Sequence, residues 1–236
     1  MKHAMIMLLA CTTLLSFTGC ETAQQVLSSI NTGTGDGTLS TNDIASGLKE
    51  ALTIGTQNSS SRLSSVDGFF SNAAIKILMP EEAKKVETTL RNIGLGGLVD
   101  KAVLSINRAA EEASKSAASI FVDAIKGMTI TDAMSILKGG DYATTDYFKT
   151  KTTTPLTNAF RPVIESALKK TDATKYWSDV FSAYNKFTSK PINTDLAGYV
   201  TEKSLSGIFY EVGLEEQKIR KDPAARVTEL LKKVFG

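Results

Sequence analysis

The sequence predicts an all-α protein: a single multi-helix domain of about eight or nine helices, with at most one short strand-like segment. Three observations carry this prediction. Apolar residues recur at three- and four-residue intervals along most of the chain from residue 42 onward, which is the spacing of one helix face. Strand-type alternation does not extend beyond residues 74–78. No internal repeat and no linker interrupts the pattern after residue 43.

The elements follow in order. Ser40 and Asp43 have the spacing of a capping box, and Ile44, Leu48, Ala51 and Leu52 follow at helical intervals. Asp67-Gly68 reads as a turn. Ala74 to Leu78 reads as one short strand or an extended connection, because the residue before Pro80 avoids helix. Pro80 suits the first turn of a helix carrying Val86, Leu90 and Ile93, which Gly94, Gly96 and Gly97 stop. A helical pattern then runs from Leu98 to about Gly127, with a break near Ser114. Its Val99, Ala102, Val103, Ile106, Ala110, Ala113 and Ala117 share one face, and small Ala side chains allow close neighbours, so this segment is expected to be central.

Thr129 and Asp132 form a second capping box, and Gly139-Gly140 ends the short helix it opens. Asp141 is placed to cap the next helix. Leu156, Phe160, Val163, Ile164, Ala167 and Leu168 make its stripe, with a kink allowed at Pro162. An aromatic stripe follows at Tyr176, Trp177, Val180, Phe181, Tyr184 and Phe187, and it reads as core. Leu196, Tyr199, Val200, Leu205, Ile208, Phe209 and Val212 make another stripe. Asp222-Pro223 is expected to start a last helix whose Val227, Leu230, Leu231, Val234 and Phe235 complete the core.

The N-terminus changes the chemical inventory. One Lys, then an uncharged run from Ala4 to Phe17, then Thr18-Gly19-Cys20 is the layout of a secretory signal peptide. The run is shorter than the roughly 20 residues that span a bilayer. Phe17-Thr18-Gly19-Cys20 resembles a bacterial lipobox, in which the Cys receives a diacylglycerol and becomes the first residue after cleavage. The expected organisation is a signal peptide over 1–19, acylated Cys20 with a Thr-, Ser- and Gly-rich tether over 20–41, and a helical domain over 42–236.

His3 is the single histidine, and Cys11 and Cys20 are the two cysteines. Cleavage before Cys20 leaves neither a His nor a free thiol. That excludes a Ser-His-Asp triad, a Cys-His pair and a His- or Cys-ligated zinc. No metal and no cofactor is expected. With 27 basic against 25 acidic residues, the net charge of +2 offers no nucleic-acid footprint. A mean hydropathy of −0.05 excludes a polytopic membrane protein.

Three residues stand out as polar contacts of a partner helix or a ligand. Asn107 falls inside the apolar face that holds Val103, and Glu111 lies at its edge one turn on. A polar pair bordering a helix core needs partners. Asp141, after the Gly pair, is the third, although neither a P-loop nor an EF-hand surrounds it. Arg108 and Glu112 are expected to be solvated, and Glu216 with Arg220 to be an exposed i, i+4 pair.

Several segments together resemble the bacterial family catalogued as domain of unknown function 4197. They are LKEALTIGT (48–56), DGFF (67–70), LSINRAAEEA (104–113), IFVDAIKGMTITDAMSILKGGDYATTDYF (120–148), YVTEKSLSGIF (199–209) and EEQKIRKDPAARVTELLKKVFG (215–236). The resemblance implies helical, secreted or lipid-anchored proteins of Gram-negative bacteria, and it carries no activity and no catalytic residues. The functional expectation is a lipid-anchored, non-enzymatic binding or assembly module of the cell envelope. It would be held by the lipid on Cys20, at the outer membrane facing the periplasm, and meet an envelope-protein or cell-wall partner. The alternative is a carboxylate-dependent enzyme acting on peptidoglycan, such as a lytic transglycosylase.

Overall fold

The computed structural model describes residues 40–170, 195–226 and 228–235, together with 174, 177, 185, 186 and 191. The expected signal peptide, Cys20 and the tether up to residue 39 lie outside the described residues. So does the aromatic stripe of 176–187 apart from Trp177, which is buried and stacks on Tyr199 with ring centroids 6.2 Å apart.

The fold is all-α, and no strand occurs among the described residues. Helix α1 spans Thr41–Ser64, α2 Lys84–Asn92, α3 Gly96–Ser114, α4 Ala117–Lys126, α5 Ile130–Lys138, α6 Ala143–Lys169, α7 Leu196–Lys221 and α8 Glu229–Phe235. Single 3-10 turns sit at Glu81–Ala83 and Pro223–Ala225. Both capping boxes form. The Ser40 and Thr129 hydroxyls accept from the N–H groups of Asp43 and Asp132, whose carboxylates accept back from the cap N–H groups. The break expected near Ser114 falls at Lys115–Ser116.

Residues 76–80 are an extended connection without sheet partners. The expected start of the last helix at Asp222-Pro223 is a 3-10 turn instead, and α8 begins at Glu229. The cause is local. The Asp222 carboxylate accepts from the N–H of Ala224, and the Arg226 guanidinium donates to the carbonyls of Ile219 and Arg220. These bonds hold the chain in a turn against the end of α7.

Helix α6 contains both Pro155 and Pro162. Each removes an N–H and frees the carbonyl four residues earlier. Both prolines, and Lys151 and Asn158 whose carbonyls are freed, are exposed, so water can satisfy those groups.

The core sits where α7 crosses α1, α3 and α6. Helix α3 buries its Ala face as expected, yet α7 is the more enclosed, with buried residues on almost every side from Leu196 to Ile219. Phe121 of α4, Phe148 of α6 and Phe209 of α7 meet edge to face, at centroid distances of 5.1 and 6.3 Å from Phe121. Phe69 lies directly over the backbone of α7. A Cβ at Gly207 would come within 2.6 Å of its Cε1, so only glycine lets the ring approach this closely. Helix α8 packs on α1 in the same manner. A Cβ at Gly47 would lie 2.8 Å from Leu230 Cγ and 3.1 Å from Val234 Cγ2. Leu230 and Val234 are half-buried rather than fully enclosed, so α8 closes the edge of the core instead of filling its centre.

Candidate functional site

The extended segment before Pro80 has no neighbouring strand, so its main-chain groups need other partners. Asn107 supplies them. Its Oδ1 accepts from the N–H of Ile77 at 2.9 Å, and its Nδ2 donates to the C=O of Ile77 at 2.8 Å and to Val103 O at 2.7 Å. One side-chain amide thus stands in for a strand neighbour, at a residue with no exposed surface.

Glu111, one turn further along α3, is buried and receives the N–H groups of Phe69 and Phe70, each at 3.2 Å. Its other oxygen accepts from Arg108 at 2.6 Å. Arg108 also pairs with Asp67 at 2.7 Å and lies 5.9 Å from the centre of the Phe70 ring. It stays partly accessible, as its helix position suggests, but its guanidinium is committed to these two acids. The bonds to Glu111, then to Asp67, raise its pKa above the ordinary arginine value. Asp67 takes a left-handed backbone with φ of 69°, which Asp tolerates better than most residues.

Helix α7 carries a second set of buried carboxylates. Arg62 of α1 bonds Glu215 at 2.8 Å and Glu211 at 3.1 Å. Burial pulls the Arg62 pKa down, and the bonds to Glu215 and Glu211 outweigh it and raise it. The other oxygen of Glu211 accepts from the Asn72 amide at 3.0 Å. Glu216 accepts from the N–H groups of Thr144 and Thr145, both at 2.9 Å, and from the Thr145 hydroxyl. It also pairs with Arg220 at 2.9 Å, and Arg220 donates to Ile136 O at the end of α5. The Glu216–Arg220 pair is enclosed rather than exposed, with side chains 3% and 14% accessible.

Glu216 corrects the reading of Asp141. The N-cap of α6 is Tyr142, without a side-chain cap bond, and the carboxylate that satisfies the first turn comes from α7. Asp141 is exposed. Its carboxylate meets Lys221 at 3.1 Å, and its carbonyl accepts from Gln217. Asn107 and Glu111 therefore act on one seam, along the 65–80 connection, while Asp141 lies apart from it.

That connection borders a cleft of about 730 Å³. Residues 74–81 form one wall. Tyr199, Lys203 and Tyr210 of α7 form the other, and Trp177 lies beside them. The Tyr199 hydroxyl donates to Leu78 O at 2.8 Å and ties the two walls together. The carboxylates at the rim, Glu81 and Glu202, are both exposed.

The sequence pointed to Asn107 and Glu111 but not to Glu211, Glu215 or Glu216. A signal for the latter existed in the small residues Ser204, Gly207 and Gly213 along the same helix, which imply close neighbours on more than one side. Among the described residues no group of three or more His, Cys, Asp or Glu gathers as a metal site. No described helix is long and apolar enough to cross a membrane. No curated protein and no solved structure matches the chain. A family model does: the one described as "Protein of unknown function (DUF4197)" matches residues 38–236, and the chain belongs to that family.

Proposed function

We propose that the protein is a lipid-anchored, non-enzymatic binding or assembly module of the bacterial cell envelope, held at a membrane through Cys20. The observation that carries the non-enzymatic part is the engagement of the interior acids. Glu111, Glu211, Glu215 and Glu216, the buried carboxylates among the described residues, each hold a backbone turn, a helix end or an arginine of the fold. A glycoside-cleaving general acid needs an enclosed, uncommitted carboxyl. The acids at the cleft, Glu81 and Glu202, stand in the open, and Glu81 pairs with Lys84 at 2.7 Å. The binding part draws on the cleft itself, whose aromatic wall, with Lys203 over the Tyr199 ring, suits recognition rather than proton transfer.

The test has two arms. Purified protein is run in a zymogram on cell walls, and a photo-crosslinker is placed at exposed Tyr210 in cells. The expected result is no clearing and a discrete crosslinked species. Clearing that disappears with Glu202→Gln would replace this proposal with the peptidoglycan-enzyme reading. The anchor is checked separately: Cys20→Ser should abolish incorporation of a fatty-acid probe.

A further inference from the structure

The junction between α2 and α3 is built unlike the rest of the fold. Helix α2 has no fully buried residue and packs mainly on α3, with half-buried Val86 against the core, so it forms an arm beside α3. At the end of that arm the sequence Asn92-Ile93-Gly94-Leu95-Gly96-Gly97-Leu98-Val99 contains no charge. Ile93 is 64% exposed, Leu95 42% and Leu98 57%. Three aliphatic side chains on one turn, left in water, are a feature that needs a partner.

The shape favours one kind. A Cβ at Gly94 or Gly97 would meet nothing within 4 Å, so the tip is open around its backbone and projects outward. A protein partner for such a tip has to present a matching socket. A bilayer closes around any outline, because its hydrocarbon is fluid. Behind the tip the charge of Arg91 is neutralised in place. Arg91 bonds Asp100 across the two helices at 2.8 Å and Glu87 along its own helix at 2.9 Å. This clasp fixes the arm and leaves little net charge at the neck. With Cys20 acylated as proposed, the twenty residues from Glu21 to Ser40 keep the domain within at most about 70 Å of the bilayer when fully extended.

We infer that the Ile93–Leu98 tip is a membrane-inserting finger, which seats the domain on the surface of the bilayer that holds its anchor. This rests on the proposed acylation of Cys20, which supplies the nearby membrane. The finger orients the domain, turning a tethered body into one with a defined face toward the lipid. Attraction by anionic lipid is not required, since Arg91 at the neck is held by Glu87 and Asp100.

The test uses the full-length chain purified from cells and reconstituted in phosphatidylcholine vesicles. Leu95→Cys and, separately, Lys85→Cys are treated with a water-soluble maleimide, and modification is read on the individual peptides by mass spectrometry. Lys85 is exposed on the same arm, away from the tip. The Leu95→Cys thiol is expected to react about tenfold more slowly than the Lys85→Cys thiol, the factor for nine-tenths insertion. It should do so at every ratio of protein to lipid. Equal rates at the two positions overturn the inference. Protection that rises with protein density also overturns it, because the tip then meets a second copy. Fatty-acid incorporation at Cys20, measured on the same preparation, reports the anchor independently. An acylated chain with a water-exposed tip sinks the finger alone. A non-acylated chain with a protected tip sinks the anchor alone. The exposed position of Leu95 means that the substitution leaves the melting temperature unchanged, which verifies the fold.

Discussion

Asn107 holds Ile77 by both polar groups of its main chain, with bonds of 2.9 and 2.8 Å, thirty residues apart in sequence. An amide side chain is the one common group that donates and accepts in the geometry of a peptide. Asn107→Leu, close in size, would leave the N–H and the C=O of Ile77 buried and unpaired. Each such group costs about 1–3 kcal/mol. A loss of about 2–5 kcal/mol is expected in urea unfolding, with part of it recovered by no single apolar residue at this position. Asn107→Asp should fare little better, since it keeps the acceptor but turns a carboxylate toward the carbonyls of Ile77 and Val103.

Glu216 offers a graded test of capping from a distance. Glu216→Ala removes the acceptor for Thr144 and Thr145 and strands Arg220. A cost of about 3–5 kcal/mol is expected, as for breaking one side of a buried pair. Glu216→Gln keeps an acceptor for one N–H and should cost less than half of that. Hydrogen exchange at Thr144 and Thr145 should speed up first in both variants. Equal exchange in wild type and Glu216→Ala would contradict the capping role.

The contact of α8 with α1 passes through Gly47. Gly47→Val places branched carbon atoms where Leu230 and Val234 sit and should displace α8. Overpacking of this kind costs about 1–3 kcal/mol. Deleting residues 223–236 uncovers the same face of α1 and should destabilise the domain at least as much, read as a lower melting temperature. An unchanged melt of the truncated protein would mean that α8 is a docking element and not part of the fold.

Acid should weaken the helix starts. Hydrogen bonds from the Ser40 hydroxyl and then the Ser40 N–H lower the pKa of Asp43. The Thr129 N–H and then the Thr129 hydroxyl do the same for Asp132. For Asp195 burial acts upward, and the Gly198 N–H and Arg161 overcome it, so its pKa is also lowered. The folded protein thus holds these protons less tightly than the unfolded chain does. The stability they contribute is complete above the ordinary value of 3.8 and is lost as the pH falls through the folded values. In thermal melts from about pH 6 to about pH 2.5, Asp43→Asn with Asp132→Asn should melt below wild type at the upper end and converge with it at the lower.

What the sequence revealed followed the range of each interaction. The capping boxes at Ser40 and Thr129 close over three residues, so spacing alone identifies them. Asn107 was visible because an amide within an apolar stripe advertises a buried bond, although nothing local named Ile77 as its partner. Glu216 was misread because i, i+4 spacing to Arg220 defines a pair but not its depth. Its depth depends on α6, whose first turn arrives from 72 residues away. Asp141 resembles the cap of α6 for the same reason: it is adjacent in sequence, whereas the group that performs the task is adjacent only in space.

The reach of these contacts sets a timetable for the chain as it is made. Thr144 and Glu216 are 72 residues apart, and Arg62 and Glu215 are 153 apart. A ribosome delivers α1 through α6 before it delivers the carboxylates and guanidinium groups of 211–226. Until then the first turn of α6 lacks its acceptor and Arg62 lacks both of its acids. The early helices can collapse together, but their ends stay open to water and to exchange. Completion of the C-terminus closes all of these ends within one stretch of synthesis. A product terminated anywhere before Glu211 has none of these closures, and both helix ends stay open together.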